Sequence, residues 1–237
     1  EVKQRFQLPE EPWPVHRLDK DTTGALLLAR SRLQAREFQV QFKEHDIKKT
    51  YLALVQAGED AFLSAPGSIR NVLVYDLNGR FDRVVSVKAD AAVTHWRLLG
   101  SSRKVPISLV SLELETGSKH QLRIHLSKVL NAPVLGDPLY SSNHHLSYLP
   151  GIGIQRGLYL HASHVSFHSY RQFGRYKRFR VGITAPLPPY FAQACKKLKI
   201  PLEDELIEGG VRINDVQQDL SVLRERGGNQ DGMRWLL

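Results

Sequence analysis

The segment His16-Arg17-Leu18-Asp19-Lys20-Asp21-Thr22-Thr23-Gly24 sets one carboxylate between two cations and ends in a turn-like Thr-Thr-Gly. Flanking positive charge keeps a carboxylate ionised, and an ionised carboxylate serves as a nucleophile or a base. The structural alternative for Asp19 is a cap with surface ion pairs, and spacing alone does not separate the two. A second segment, Glu115 to His125 (ETGSKHQLRIH), places Arg123 after a turn. Its guanidinium is a planar fork of donors suited to a carboxylate or a phosphate. If this segment is helical, His120 and Arg123 project near one another; if extended, Gln121, Arg123 and His125 share a face. A strand-end histidine and a surface arginine are the structural alternative.

A third segment, His168 to Arg180, interleaves four aromatic rings with five cations. Rings and cations so mixed suit base stacking and phosphate contact, with Arg171, Arg175, Lys177 and Arg178 as the candidate backbone contacts. The alternative is a β-hairpin about Gly174 with a basic outer face. Metal chemistry finds less support. His161, His164 and His168 stand three and four apart, but in LYLHASHVSFHSY, whose Val, Phe and Tyr favour a strand on which they would not converge. HExxH, GxSxG and a glycine-rich phosphate loop are all absent from the sequence. No metal site is expected.

The elements that must position these residues read as mixed helix and strand. Ser31 to Lys43 carries Leu33, Ala35, Phe38, Val40 and Phe42 at roughly helical spacing. Thr50 to Gln56, Ala91 to Leu99 and Ile107 to Glu115 read as strands, the last alternating so that one face is buried and one is wet. Gly58 to Gly79 reads as loops around a short strand at Val72 to Val74. Gln121 to Leu130 suits a helix, Leu158 to Phe167 and Arg178 to Ile183 a strand pair, and Tyr190 to Leu198 a short helix. After Ile200 the composition turns acidic, and Val216 to Arg224 suits a helix.

The 237 residues hold 33 Lys and Arg against 24 Asp and Glu, a formal charge of +9. Such a surface meets phosphates or an anionic membrane. No stretch approaches the ~18 to 20 apolar residues of a span, and no signal-peptide pattern is visible, so nucleic acid outranks lipid. The single cysteine, Cys195, excludes an internal disulfide and a cysteine-based zinc site and points to a reducing, intracellular compartment. There is no repeat or low-complexity tract.

Taken in order, these segments resemble the RluA-type family of pseudouridine synthases. The ordered set is HRLDKDTTG at 16 to 24, KKTYLALV at 48 to 55, AVTHW at 92 to 96, ETGSKHQLRIHL at 115 to 126, PVLGDPLYS at 133 to 141, LHA at 160 to 162 and APLPPYF at 185 to 191. The resemblance implies an α+β catalytic fold, a mixed and mostly antiparallel β-sheet with flanking helices and a central cleft. The catalytic domain is expected over 1–200, and the change of composition after Ile200 sets 201–237 apart as a C-terminal appendage. The family's core begins with strands before the HRLD segment, and the short stretch here implies that these are missing. By motif, Asp19 matches the catalytic aspartate, Tyr51 the active-site tyrosine and Arg123 the basic residue that pairs with the aspartate. Arg17 matches the arginine that fills the gap left by a departing nucleotide, and Leu135 lines the floor under the base. His16, Gln121 and His125 complete the expected substrate contacts.

The reaction implied is isomerisation of a uridine in RNA, which requires flipping the base out of its stack, at a cost of a few kcal/mol that phosphate contacts offset. No metal or organic cofactor is expected. Ribosomal RNA is the first partner implied and transfer RNA the second, with ribosomal particles a further partner, for a monomer in the cytoplasm or the mitochondrial matrix. The alternatives are a non-catalytic RNA-binding ribosome assembly factor that keeps the fold, and a DNA-binding or phosphodiester-cleaving protein.

Overall fold

The computed structural model describes residues 2–62, 66–85, 91–141, 157–170 and 178–219. The N-terminal part is a helical turn, α1 (Val2–Arg5), then β1 (Trp13–Pro14), β2 (Thr23–Gly24) and β3 (Leu28–Ala29), followed by α2 (Arg32–Lys43). α2 starts where the sequence suggests: the Ser31 hydroxyl accepts from the Gln34 amide at 3.2 Å. Its inner face carries Ala35 and Phe38 against Val165, Phe167, Phe179 and Val181. The helix ends at Lys43 and is capped by Glu44, after which His45, at a φ of 57°, directs the chain back toward the sheet.

The strands that follow are β4 (Lys48–Val55), β5 (Gly67–Tyr75), β6 (Phe81–Val85), β7 (Ala92–Ser101) and β8 (Ser108–Leu114). Then come α3 (Gln121–Ile124), a π-helical turn over His125–Val129, β9 (Leu160–Tyr170), β10 (Arg178–Thr184), α4 (Pro189–Leu198), α5 (Asp204–Glu208), β11 (Gly210–Ile213) and β12 (Val216–Gln218). The sheet runs β12-β11-β10-β9-β4-β8-β7-β5-β6 with antiparallel neighbours, and β2 joins it in parallel alongside β9. This is the mixed, mostly antiparallel α+β architecture expected.

β4 is central and buried on both faces. Tyr51, Ala53 and Val55 join Val110, Leu112, Leu122 and Leu126 on one side, while Leu52 and Leu54 meet α4 through Phe191, Ala194, Cys195 and Leu198 on the other. The side chain at 51 therefore belongs to the face that α3 covers, and those at 50 and 52 to the opposite face.

Three expectations change. The short strand at Val72 to Val74 is part of the nine-residue β5, because Gly67 to Asn71 pair with β7 and Gly67 leaves room for Trp96, which an added Cβ would meet at 2.4 Å. The helix expected from Val216 is instead strand β12 as far as Gln218, because Asn214 and Asp215 at φ 47° and 67° form a two-residue hairpin that pairs it with β11; 220–224 lie outside the described residues. The stretch set apart after Ile200 continues the same sheet, since β11 pairs with β10 and Leu202 and Leu206 pack against the α4 cluster. The strand pair around Gly174 exists as β9 and β10, with Tyr170 opposite Arg178, while its tip lies outside the described residues. His161, His164 and His168 are on β9, not on a helix.

Candidate active site

A cleft of about 530 Å³ lies on the Tyr51 face of the sheet, within the range typical of small-ligand sites. Its walls are the 16–22 loop, the end of α2 with Phe42 and His45, Lys49 and Tyr51 of β4, and the chain from Leu114 to Leu122. Leu18, Leu114, Leu122 and Leu160 provide its apolar lining.

Asp19 is half-buried at this cleft. It opens a turn in which the Thr22 amide donates to the Asp19 carbonyl at 3.0 Å and Asp21 takes a φ of 67°. The turn delivers the chain to Gly24, at φ 113°, where a Cβ would lie 2.2 Å from the Ala162 carbonyl oxygen. Only glycine allows β2 to sit so close to β9. The negative charge of Asp19 acts on Tyr51, Tyr75, His120, Arg123 and Tyr140, which together describe its surroundings. Burial, aided by Asp19, pushes the Tyr51 phenol up to about 12, so it is neutral at pH 7.

Arg123 is where the structure departs most from the motif. No ion pair joins it to Asp19. Its Nε and Nη2 each donate at 2.7 Å to the two carboxylate oxygens of Asp137, and the side chains are 4% and 0% exposed. Asp137 Oδ1 also accepts from the amides of Leu139 and Tyr140 at 2.8 and 3.1 Å. Burial opposes the charge on Asp137, and the Arg123 fork with these amides outweighs it, holding the carboxyl below the usual range. The physical reason for the departure is that Asp137 sits in a turn after Gly136 (φ 77°), aimed at Arg123, and a buried guanidinium takes the fully desolvated bidentate partner. The Arg123 guanidinium also lies over the Tyr140 ring, 5.1 Å from its centroid. Arg123 reaches Asp19 through its field rather than through a bond.

Leu135 does not floor the cleft. It is fully buried in the cluster with Leu52, Leu54, Tyr159 and Phe191 on the opposite face, fixed there by amide bonds from Leu135 to Leu54 and from Tyr159 to Leu135. His16 lines the cleft and accepts the Leu27 amide on Nε2 at 2.8 Å, which requires a neutral ring; burial and Lys49 both hold its pKa below the ordinary value. Arg17 lines the cleft with an exposed side chain. Lys49, which the sequence reading passed over, lies 5.7 Å from the Phe42 centroid with its pKa lowered by burial. Its place two residues before Tyr51 puts it on the same face, a signal available from strand alternation.

Gln121 lines the cleft and is tied to its rim, whereas His125 does not line it. Gln121 accepts from Thr116 Oγ1 and the Ser118 amide at 2.8 and 3.0 Å, and donates to the Val93 carbonyl and Thr94 Oγ1, both at 3.0 Å. It thereby holds the Thr116 to Ser118 rim of the cleft on β7. His125, expected to touch substrate, is fully buried instead; its Nδ1 lies 2.9 Å from Thr94 Oγ1, and its Nε2 has no partner among the described residues. Helical rather than extended backbone at 121–129 explains this, because it separates His125 from the cleft-lining positions.

Burial pushes the His125 imidazole down to about 4 from 6.5. The unfolded chain therefore binds this proton before the folded one does, and stability is lost as pH falls from about 6.5 toward about 4. We expect a loss of about 3 kcal/mol from this group at the acid end of that window. Urea unfolding at pH 7 and at pH 4.5 checks it: His125→Asn, which keeps a partner for Thr94 and does not titrate, should flatten the pH dependence. His16, His161 and His164, also lowered chiefly by burial, add to the same trend in both proteins.

Of the candidate phosphate contacts, Arg178 is described: it pairs with Asp46 at 2.8 Å and lies beside His168 on the outer face of the β9–β10 pair. Arg171, Arg175 and Lys177 lie outside the described residues. Among the described residues no group of three or more His, Cys, Asp or Glu could hold a metal ion, and no helix is long and apolar enough to cross a membrane.

Residues 1–128 match the family model described as RNA pseudouridylate synthase. An uncharacterized RNA pseudouridine synthase of Bacillus subtilis is 40% identical over 126 residues, covering 53% of this chain and 40% of that protein. The mitochondrial pseudouridylate synthase RPUSD4 of Xenopus tropicalis is 34% identical over 233 residues, covering 86% of this chain and 70% of that one. Among solved structures, human RNA pseudouridylate synthase domain containing 4 superposes with a TM-score of 0.64 at 28% identity, covering 81% of this chain and 78% of that chain. The chain spans about half the length of the first curated relatives it matches.

Proposed function

Because the chain belongs to the RNA pseudouridylate synthase family, we propose that it isomerises uridine to pseudouridine within a structured RNA, with Asp19 as the attacking carboxylate. The observation that carries this reading is the half-buried Asp19 lining a cleft that also presents Tyr51, with the buried Arg123 behind it within the field of the aspartate.

In the reaction the bond from N1 of uracil to C1′ of ribose breaks and one from C5 to C1′ forms; the proton on C5 leaves and N1 gains one. Nothing is oxidised and no group donor is needed. Asp19 attacks the nucleoside, at C1′ or at C6 of the base, and the freed uracil turns within the cleft before C5 rejoins the sugar. Tyr51, a neutral phenol on a buried strand, supplies a face for the base to pack on. Leu18, Leu114, Leu122 and Leu160 give the flipped base an apolar enclosure in place of Leu135.

Arg17, exposed beside Asp19, enters the space the flipped nucleotide leaves, and Lys49 and Lys119 at the cleft with Arg178 on the sheet meet phosphates. Ribosomal RNA is the first substrate class and transfer RNA the second. The likeness to a mitochondrial relative favours the mitochondrial matrix over the cytoplasm as the place of action.

Incubation of the protein with ribosomal and transfer RNA, followed by carbodiimide treatment and reverse transcription, tests this directly. New carbodiimide-dependent stops at discrete uridines are expected. RNA binding without any stop would favour the assembly-factor reading, and strand scission would favour the phosphodiester-cleaving one.

A further inference from the structure

His161 lies outside the cleft, 1% exposed, yet it stands between the two chain segments that matter most to it. On one side β9 pairs with β4, with His161 opposite Leu52 and His164 opposite Thr50. The register shift between these pairs gives β9 one extra residue facing Tyr51. On the other side β9 pairs with β2, where His161 is opposite Thr23, four residues after Asp19. β10 ends its pairing with β9 at His164, and β2 occupies the ladder beyond it.

The ring is committed at both nitrogens. Nε2 lies 3.2 Å from the Ala185 carbonyl, which can only accept, so Nε2 carries the proton. Nδ1 is then a bare acceptor, and the Thr23 hydroxyl donates to it at 2.9 Å. Burial holds the imidazole below its ordinary pKa, consistent with this neutral form. Thr23 is thus fixed in orientation as well as in register, and the turn that opens at Asp19 ends on a fixed point; the Ala25 amide adds a second bond to the Ala162 carbonyl at 2.8 Å.

We propose that His161 is a positioning residue for the reaction, aiming Asp19 through the Thr23 hydroxyl without touching the RNA. The proposal rests on the reading of Asp19 as the attacking carboxylate. A buried histidine that merely held the fold would serve through either of its bonds; a positioning residue serves through Nδ1.

Asparagine and glutamine separate the two roles, because the Asn amide oxygen can take the place of Nδ1 while the Gln amide nitrogen can take that of Nε2. His161→Gln keeps a donor for Ala185 and loses the acceptor for Thr23; His161→Asn does the reverse. Thr23→Val removes the hydroxyl at nearly constant volume, and Thr23→Ser retains it. Single-turnover pseudouridine formation at saturating RNA is expected to slow by about ten- to a hundredfold in His161→Gln and in Thr23→Val, the scale of a small misplacement of a reacting group. The RNA concentration for half-saturation should stay within about threefold. His161→Asn and Thr23→Ser should recover most of the rate, and combining His161→Gln with Thr23→Val should be no slower than either alone.

Equal losses in His161→Asn and His161→Gln, or a wild-type rate in Thr23→Val, would overturn the proposal. So would a loss confined to half-saturation. If the His161 variants melt below the assay temperature, the Thr23 pair decides alone, since Thr23 is only half-buried. Asp19→Asn run alongside keeps the premises apart: activity in that variant removes the role of Asp19, whereas an inactive Asp19→Asn with indifferent His161 and Thr23 variants removes only the positioning.

Discussion

Asp19→Asn is expected to lower isomerisation by about a thousandfold or more while RNA affinity stays within a few-fold. The substitution conserves shape at a half-buried position whose backbone is set by the Thr22 amide, the Gly24 approach and the β2–β9 pairing, none of which uses the carboxylate. What is lost is the negative charge and the nucleophilic oxygen. On the proposed reading phosphates are met by cations other than this carboxylate, so binding is not expected to follow activity. A variant with appreciable turnover would require another group to attack; among the described residues the one other carboxylate that lines the cleft, Glu115, is paired with His95 at 2.7 Å.

The second large effect is expected at the Arg123–Asp137 pair. Asp137→Asn leaves the guanidinium buried without a counter-charge and should cost about 3 to 5 kcal/mol of stability. Arg123→Lys keeps the charge but not the two parallel bonds, and should cost about 2 kcal/mol together with a large fall in rate. The rate falls because Asp137 also organises the turn to Tyr140, whose hydroxyl meets His120 at 2.8 Å beside Asp19. Denaturant unfolding and single-turnover rates measure the two consequences separately. Should Arg123→Lys leave stability unchanged and weaken only RNA binding, Arg123 would be a phosphate contact and the buried pair would not exist in solution.

This pair also marks the limit of what the sequence discloses. The HRLD and HQLR segments identify Asp19 and Arg123 by type, and the ordered motifs identify the fold. That Arg123 pairs with Asp137 depends on a left-handed Gly136 and on the depth of both side chains, and neither follows from spacing. Leu135 lies away from the cleft for a similar reason. Which face an apolar side chain joins is set by pairing register, here its bond to Leu54.

Local signals did better where they were self-contained. Ser31 followed by apolar residues at helical spacing located α2, and Tyr190 to Leu198 located α4 to within one residue. Gly67 punctuates the sequence as a loop residue would, whereas in the fold it makes room for Trp96 within β5. β12 could have been found: Asn214-Asp215 is a two-residue hairpin turn by composition, and the apolar residues after it drew the helix reading instead. His161 was visible only as part of the LHA motif, because its partners Thr23 and Ala185 are distant in sequence.

The most direct test of the central claim follows the proton on C5. RNA transcribed with uridine carrying tritium at C5 should release that tritium to water when incubated with the protein, because the C5 bond to hydrogen is exchanged for a bond to C1′. Release that saturates at a small whole number of uridines per RNA, and vanishes in Asp19→Asn, is the result expected. Tritium retained in an RNA that the protein demonstrably binds, or released equally by Asp19→Asn, would contradict the account.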